Sequence, residues 1–490
     1  MPQKSIQKNI QTKNLSNSDV PPLRFVTAAS LFDGHDAAIN IIRRILQDLG
    51  CEVIHLGHNR GVSEIVRAAI QEDADGIAIS SYQGGHMEYF KYLLDELKAK
   101  GASHIKVFGG GGGVILAREK RELETYGVSR IFLPEDGMKL GLEGMGNIML
   151  EKAMAGRDER KAPDLKNWSH IVSTIESKKD IPELPKSKNK PVVLGITGTG
   201  GAGKSSLVDE LILRFLYEYS SLKIAIYSID PTKKKTGGAL LGDRIRMNAI
   251  EDDRVFMRSL ATRGSQSEVA GSIDRIVQAS RNSDFDLVIV ETSGIGQGGS
   301  AITQFSDLSL YVMTSDYGAS TQLEKIDMID FADVIAVNKF ERRGSEDALR
   351  EVRKQFQRGR KLFDLKNLDG LPVFGTRCNI FNDPGVTKLY QTLKNKLREK
   401  ESSFPEAERE FLSSTSIKAT IIPPDRIFYL GDIAKTVREY RSKTFAEMKK
   451  AKEAYVLQEA SVLVKELKDR AEVEIKNLPP STLETLSAWE

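Results

Sequence analysis

The chain has little cysteine. Its 490 residues include two, Cys51 and Cys378, far apart in the sequence. Two isolated cysteines exclude a disulfide framework and a zinc-ligand spacing, and the expected compartment is the reducing cytoplasm. Long apolar runs are missing as well. No stretch approaches the ~20 apolar residues of a membrane helix, so no membrane span is expected. An excess of one charge is also lacking. The 71 basic and 68 acidic residues leave a net +3, which gives no electrostatic footprint for nucleic acid. Residues 1–20 are polar, carry Lys4, Lys8 and Lys13, and have no apolar core. No secretory signal is expected there, and residues 1–21 read as a disordered tail. What is present is ordinary globular composition, 40% hydrophobic and 28% charged, with length for about three domains.

Hydrophobic patterning divides the chain. Over 22–153, short apolar runs at 24–29, 51–56, 76–80, 105–108 and 130–133 alternate with amphipathic segments. One of these segments carries Ile39, Ile42, Leu46 and Leu49, and Gly50 closes it. Five such units predict a flavodoxin-like, five-stranded parallel sheet with helices on both faces. Sheets of this kind bind ligands at the carboxyl ends of their strands. Residues 154–190 are rich in Lys, Asp, Glu and Pro and read as a linker, with one helix near 168–175. A second α/β series fills 191–398, with strands expected at 192–197, 223–229, 285–291, 308–313, 334–338 and 371–374. The remainder, 399–490, reads as a helical linker or dimerisation arm. Pro423-Pro424 precede Ile427, Leu430, Ile433 and Val437 at helical spacing.

The second series carries a phosphate loop. Gly198-Thr199-Gly200-Gly201-Ala202-Gly203-Lys204-Ser205 fits GxxxxGK[ST] between an apolar strand and an amphipathic helix, the context the motif requires. The backbone amides of Gly200, Gly201, Ala202, Gly203 and Ser206 suit phosphate oxygens. Lys204 neutralises charge between the β- and γ-phosphates, and the Ser205 hydroxyl suits Mg²⁺. Asp230 ends the next strand. Glu291-Thr292-Ser293-Gly294 follows a further apolar strand, where a carboxylate holds Mg²⁺ or orients the attacking water. Asn338-Lys339-Phe340-Glu341 follows another. In GTPases an NKxD loop here reads guanine, and this chain has Glu341 in place of Asp. On the alternative reading Glu341 faces solvent beside Arg342 or Arg343, and base specificity rests on Asn338 and on 376–379.

This ordered set, with Ile229-Asp230-Pro231-Thr232 and Gly242-Asp243-Arg244-Ile245-Arg246-Met247, resembles the metallochaperone family of P-loop GTPases. Within that family it is similar to the chaperones of cobalamin-dependent acyl-CoA mutases. The resemblance implies that Asp230 and Asp243 join Ser205 and Glu291 around Mg²⁺, with the backbone of Ile229 and Thr292 close by. It implies that Arg246 reaches the nucleotide phosphates. It makes 316–327, with Gln322 and Lys325, a switch segment, and makes Lys233–Lys235 either a switch loop or a solvated basic turn.

In that light the first series resembles the cobalamin-binding domains of the DxHxxG…SxL…GG pattern. The matching residues are Asp33-Gly34-His35, Ser80 and Gly109-Gly110, with Ala38 where Gly is usual and Tyr82 where Leu is usual. The implied chemistry is cobalt ligation by His35, whose tautomer Asp33 fixes. Ser80 would bond the cofactor's displaced base, and the glycines would leave room for its tail. His55, His58, His86, His104 and His170 are expected on the surface or in the groove. The domain order is similar to part of the fused isobutyryl-CoA mutases, whose (β/α)₈ substrate barrel needs roughly 250 further residues.

Three readings follow. The chain is the adenosylcobalamin-binding, GTP-hydrolysing part of an acyl-CoA mutase whose barrel is a partner chain or a missing region. Alternatively it is a stand-alone cobalamin-delivering chaperone, or a corrinoid methyl carrier with an ATPase. The resemblance also implies an adenosyltransferase as cofactor donor and a homodimer or hetero-oligomer.

Overall fold

The computed structural model describes residues 21–158, 167–177, 190–233, 235–263, 271–292, 294, 300–318, 323–324, 326–411, 429–464 and 467–488. The sequence readings for 1–20, for 159–166 and 178–189 of the linker, for Lys234, Ser293, 319–321, Gln322 and Lys325, and for Pro423-Pro424 and Ile427 lie outside the described residues.

The strands in chain order are β1 Arg24–Ser30, β2 Glu52–Arg60, β3 Gly76–Ser80, β4 Lys106–Gly110, β5 Arg130–Phe132, β6 Val192–Gly198, β7 Ile224–Asp230, β8 Ala239–Leu241, β9 Val255–Ala261, β10 Leu287–Glu291, β11 Leu308–Thr314, β12 Val334–Asn338 and β13 Val373–Thr376. The helices are α1 Ala37–Asp48, α2 Val62–Gln71, α3 His86–Ala99, α4 Ala117–Tyr126, α5 Pro134–Asp158, α6 Trp168–Glu176, α7 Lys204–Glu218, α8 Ile273–Ser280, α9 Asp327–Phe331, α10 Ser345–Gly359, α11 Pro384–Lys400, α12 Tyr429–Leu463, α13 Lys468–Lys476 and α14 Pro480–Ser487.

Two parallel sheets form, in the orders β5-β4-β3-β1-β2-β8 and β13-β12-β11-β6-β10-β7-β9. Their central strands are apolar on both faces because helices cover both sides. On the first sheet Ile39 and Leu46 of α1 pack with Met149 and Ala153 of α5. The opposite face holds Val66 of α2, Phe90 of α3 and Leu123 of α4. On the second sheet Leu211 of α7 and Leu393 of α11 cover one face, and Ile171 of α6, Ile276 of α8 and Val352 of α10 cover the other. Local signals set the helix ends. Pro384 opens α11 directly after Asp383, whose Oδ2 accepts from the Val386 amide at 3.0 Å, a proline-led start with a side-chain cap.

The five strands expected of 22–153 all form, and the sheet gains a sixth strand that the sequence reading did not expect. The sixth, β8, comes from within the nucleotide-binding half and pairs in parallel with β2, Glu52 facing Ala239 and Ile54 facing Leu241. A strand edge leaves amides and carbonyls unpaired, and β8 satisfies those of β2. Gly238 is needed for the approach, since a Cβ there would lie 2.1 Å from the Gln47 carbonyl oxygen.

Behind β8 the two sheets meet through buried charges. Arg24 of β1 contacts Glu52 at 2.6 Å, Glu72 at 3.1 Å and Glu176 of α6 at 3.3 Å. Arg263 reaches Glu52 at 2.6 Å, and Arg258 of β9 reaches Glu176 at 2.5 Å. Arg244 contacts Glu72 at 3.3 Å. Ionic groups stay charged at this depth only when closely paired, and each carboxylate here faces at least two guanidinium groups.

Residues 414–490 form a separate compact unit. In it Ala454 of α12 and Ala471 of α13 are buried, and Leu430, Ile433, Val437 and Tyr440 of α12 are exposed.

Candidate functional site

The nucleotide cleft lies at the carboxyl ends of β6, β7 and β10. Gly201 and Gly203 of the phosphate loop have φ of 71° and 88°, left-handed conformations that glycine adopts without strain. Gly203 also has no room for a side chain, because a Cβ would sit 2.6 Å from Asn338 Nδ2. Lys204 opens α7, and its Nζ donates to the carbonyls of Gly198 at 3.3 Å and Thr199 at 3.2 Å. Ser205 Oγ lies 2.8 Å from Glu291 Oε1 and 3.1 Å from Asp243 Oδ1. Ser228 Oγ donates to the other Asp243 oxygen at 2.5 Å, and Asp230 Oδ2 accepts from the Gly242 amide at 3.2 Å.

Gly201, Gly203, Lys204, Ser205, Ser206, Asp230, Asp243, Arg246, Glu291 and Thr292 are among the residues lining a cavity of about 250 Å³. The Arg246 side chain is two-thirds exposed, its Nη1 3.9 Å from Asp243 Oδ1. Gly200 stands just outside the lining and Ala202 is fully buried beneath it. Ile229 is fully buried in β7 and is not among the residues lining the cavity. Thr292 Oγ1 is 2.8 Å from Thr197 Oγ1.

Three carboxylates without a cation make an unfavourable group. Burial, and then the charge of Asp243, pushes Asp230 up to about 8. Burial and Asp243 likewise push Glu291 up to about 8. Glu291 Oε2 is buried and has no hydrogen-bond partner. A hydroxyl, three acidic side chains and an orphaned carboxylate oxygen make a donor set that suits a hard divalent cation.

After β12, Asn338 Nδ2 donates to the Ala202 carbonyl at 2.8 Å, tying the following loop to the phosphate loop. Asn338 Oδ1 accepts from Thr376 Oγ1 at 3.1 Å and from Cys378 Sγ at 3.2 Å. Lys339 has φ of 55°. Glu341 Oε1 accepts from Asn379 Nδ2 at 3.4 Å, and its Oε2 is buried without a partner. Arg342 is bound to Asp316 at 2.7 Å. Among the described residues no ion pair reaches Glu341.

The second site lies at the carboxyl ends of β1, β3 and β4. Asp33 is buried. Its Oδ1 accepts from the His35 amide and lies 2.9 Å from His35 Nδ1, and its Oδ2 accepts from the Tyr82 amide at 2.6 Å. Burial pushes the carboxyl up, but the bonds from Tyr82 and His35 outweigh it and hold Asp33 below its ordinary value. An ionised Asp33 accepts the Nδ1 proton, which makes Nε2 the lone-pair nitrogen of His35. The His35 side chain is 75% exposed, so that nitrogen is available to a ligand.

Beside it runs a groove of about 240 Å³ lined by Ala38, Ser80, Tyr82, Gly109 and Gly110 among others. Ser80 is buried and its Oγ has no partner. The glycines serve close approach: a Cβ on Gly109 would meet Phe90 at 2.4 Å, and one on Gly111 would meet the Ser81 carbonyl at 1.9 Å. An exposed imidazole of fixed tautomer beside an apolar groove with one orphaned hydroxyl fits cobalamin held with its own base detached. The expectation for His86 is corrected. It turns away from the groove, to the Gln83 carbonyl at 2.9 Å and Glu119 at 3.1 Å. His55 bonds Thr27 at 2.9 Å, and burial pushes it down to about 4.

Sequence reasoning missed the connection between the two sites. After Asp230 the chain runs along the first sheet. Thr236 Oγ1 donates to the Gln47 carbonyl at 3.2 Å, β8 pairs with β2, and Asp243 follows two residues later. Arg244 Nη2 then donates to Gln71 Oε1 at 2.8 Å.

Comparison with known proteins agrees with this geometry. Residues 23–137 match the B12 binding domain, and residues 170–403 match the Methylmalonyl Co-A mutase-associated GTPase MeaB. The chain is 49% identical to a fused isobutyryl-CoA mutase of Geobacillus kaustophilus, covering 96% of this chain and 46% of that protein. It is 53% identical to that of Cupriavidus metallidurans, covering 89% and 42%, and 50% identical to that of Nocardia farcinica, covering 86% and 41%. It thus spans less than half the length of these curated relatives. The chain joins a B12-binding domain to a MeaB-type GTPase domain, and over most of its length it is similar to part of a fused isobutyryl-CoA mutase.

Proposed function

We propose that this chain is the cofactor-handling part of an acyl-CoA mutase of the isobutyryl-CoA to n-butyryl-CoA type, in which GTP hydrolysis gates the loading of adenosylcobalamin. The observation that carries the gating is the path of the segment from Asp230 to Asp243. It supplies two acidic groups to the nucleotide cleft and, between them, an edge strand to the cobalamin-side sheet. A displacement of this segment on nucleotide turnover bears directly on β2.

In the cleft, the amides of the phosphate loop cradle the GTP phosphates at the start of α7. Lys204 leaves the carbonyls of Gly198 and Thr199 for the β- and γ-phosphates, and Arg246 adds charge from the exposed side. Ser205, Asp230, Asp243 and Glu291 hold Mg²⁺, with Ile229 and Thr292 contributing backbone. The ion supplies charge neutralisation to the phosphates. Glu291, with one oxygen bonded to Ser205 and one free, also suits the orientation of water.

On the other side His35 presents Nε2 and Asp33 keeps it basic. Ser80 offers its hydroxyl to the displaced base, and Gly109 and Gly110 keep the strand end low enough for the tail to pass. The bound cofactor supplies radical initiation. The acyl-CoA site belongs to a substrate-binding barrel in a partner chain or in the rest of a longer protein.

The test is spectroscopic. His35→Ala in the full chain is expected to abolish the base-off, His-on absorption of bound cobalamin, and Asp33→Asn to weaken binding roughly 10–100-fold. Lys204→Ala is expected to lose GTP binding while keeping that spectrum. An unchanged spectrum in His35→Ala protein refutes the reading.

A further inference from the structure

The stretch before His35 holds a strained backbone. Phe32 has φ of 62° and is 79% exposed. A bulky residue in the left-handed region is a steric outlier, and it persists only where its surroundings dictate it. Here the end of β2 supplies them. Asn59 Oδ1 accepts from the Phe32 amide at 2.7 Å, and the Asn59 amide donates to the Asp33 carbonyl at 3.2 Å. Asn59 and Gly57 are left-handed too, at 56° and 85°. Ala28 of β1 faces Gly57, and the register shifts on both sides of that pair, an irregularity of the kind that re-aims a strand end. The same stretch meets the nucleotide cleft from its other side. Asp243–Arg246 is one short helical turn. Its first and last residues line the cleft, while Ile245 packs on Gly57, where a Cβ would lie 2.7 Å from Ile245 Cδ1. Asp209 of α7 pins the chain just beyond, its Oδ1 accepting from the Asn248 and Ala249 amides at 2.8 and 2.7 Å.

We propose that residues 57–59 are a lever that passes the state of the nucleotide cleft to the His35 loop, with Ile245 pressing on its near end and Asn59 positioning the loop at its far end. The inference rests on the GTPase and cobalamin readings above and deepens them by naming the residues that regulate the His35 site. In a filled cleft Asp243 and Arg246, at the two ends of one turn, are both drawn to the phosphates and their cation. So tight a turn leaves no slack between its ends, and Asp209 holds its exit. The turn moves as a unit, and Ile245 shifts against Gly57. Gly57 follows, because glycine changes backbone conformation at low cost. Asn59, two residues on, carries the shift through its hydrogen bonds to Phe32 and Asp33, and Asp33 holds the His35 ring. The strain makes the loop responsive. Release of the Asn59 bond frees Phe32 to return to an ordinary conformation, which gives the loop a second arrangement for the lever to select. Asn59 acts through Asp33 and is a positioning residue for His35.

The experiment titrates the full chain with adenosylcobalamin, loaded with GDP or with a non-hydrolysable GTP analogue, and reads the His-on absorption. In wild type the two Kd values are expected to differ about 5-fold or more. Ile245 is 38% exposed, so Ile245→Ala leaves no buried cavity. It is expected to bring the ratio near one while both nucleotides bind as before. Asn59→Gly keeps the left-handed backbone and loses the acceptor. Its Kd for adenosylcobalamin is expected to rise roughly 3–10-fold, with GTP binding unchanged, and Asn59→Asp, which keeps an acceptor, to restore the wild-type value. A wild-type ratio in Ile245→Ala overturns the lever, and so does loss of GTP binding in that variant, which places Ile245 in nucleotide binding itself. A wild-type Kd in Asn59→Gly, or an Asn59→Asp as weak as Asn59→Gly, overturns the positioning role. A ratio of one in wild type with a His-on spectrum overturns the gating reading and the lever together, and the positioning role of Asn59 then stands or falls on its own variants. No His-on spectrum in wild type overturns the cobalamin reading.

Discussion

Raising the pH over the metal-free protein tests the acidic cluster of the nucleotide cleft. Asp230 and Glu291 are each raised to about 8, from ordinary values of 3.8 and 4.5. Burial is the main cause, with repulsion from Asp243 second. A shift of one pKa unit corresponds to about 1.4 kcal/mol, so ionising one such carboxyl in the empty cleft costs of the order of 5 kcal/mol. The folded pKa lies above the unfolded one. Between about pH 4.5 and about 8 the folded state therefore holds more protons, and stability falls as pH rises at up to about 1.4 kcal/mol per pH unit for each proton. The two groups share Asp243 as neighbour and titrate as a pair, so their separate costs do not simply add.

A divalent cation reverses the balance by placing two positive charges among three carboxylates. Its binding at neutral pH is expected to release one to two protons, and its affinity to rise with pH up to about 8. Calorimetric titration with Mg²⁺ in buffers of different ionisation enthalpy counts the protons. Thermal melts with Mg²⁺ or a chelator follow the stability. The melting temperature in chelator is expected to fall from about pH 5 to about pH 8, and Mg²⁺ to remove most of that fall. Glu291→Gln is expected to reduce the release by about one proton. No proton release at neutral pH, together with a flat melting temperature in chelator, refutes this account of the cluster.

Three further outcomes follow from the geometry. With one Glu341 oxygen bonded to Asn379 and the other buried and free, wild type is expected to prefer GTP over ATP. Glu341→Asp is expected to tighten GTP without helping ATP and Glu341→Ala to erode the preference, and equal GTP-to-ATP ratios in all three by competition binding remove Glu341 from the base site. Arg24→Met leaves Glu52, Glu72 and Glu176 without their shared partner, and denaturant unfolding is expected to show a loss of about 3–5 kcal/mol; a loss under about 1 kcal/mol, as at a surface pair, contradicts the buried network. Gly238→Val drives a Cβ into the Gln47 carbonyl and is expected to free β8 from β2, so that GTP no longer alters cobalamin affinity while each ligand still binds; an unchanged effect of GTP on that affinity argues against this strand as the link.

Much of both sites was legible because their residues stand at strand ends, and strands are the best-marked elements in the sequence. The phosphate loop follows an unbroken apolar run, so its position at the carboxyl edge of β6 is a local fact. Asp33, His35 and Ser80 follow runs of the same kind. Two strands escaped. β9 contains Arg258 and Ser259, which break its apolar pattern, and Arg258 is buried only because Glu176 of α6 comes to meet it. β8 is three residues long and carries no period of its own, and it exists as a strand because β2 offers it an edge.

The sequence alone determined the order of the two α/β halves, the phosphate loop, and the residue types at the two candidate sites. These depend on local periodicity and on backbone demands that only certain residues meet. Tertiary structure decided which groups are neutral, orphaned or shared. Asp230 and Glu291 are raised because the fold buries them and brings the charge of Asp243 against both. Glu341 keeps one oxygen buried and without a partner, while Asn379 bonds its other oxygen and Asp316 occupies Arg342. The joining of the two sites through β8 is a long-range outcome of the fold. A strand edge is a property of a finished sheet, and nothing in Ala239-Leu240-Leu241 states which edge it will complete.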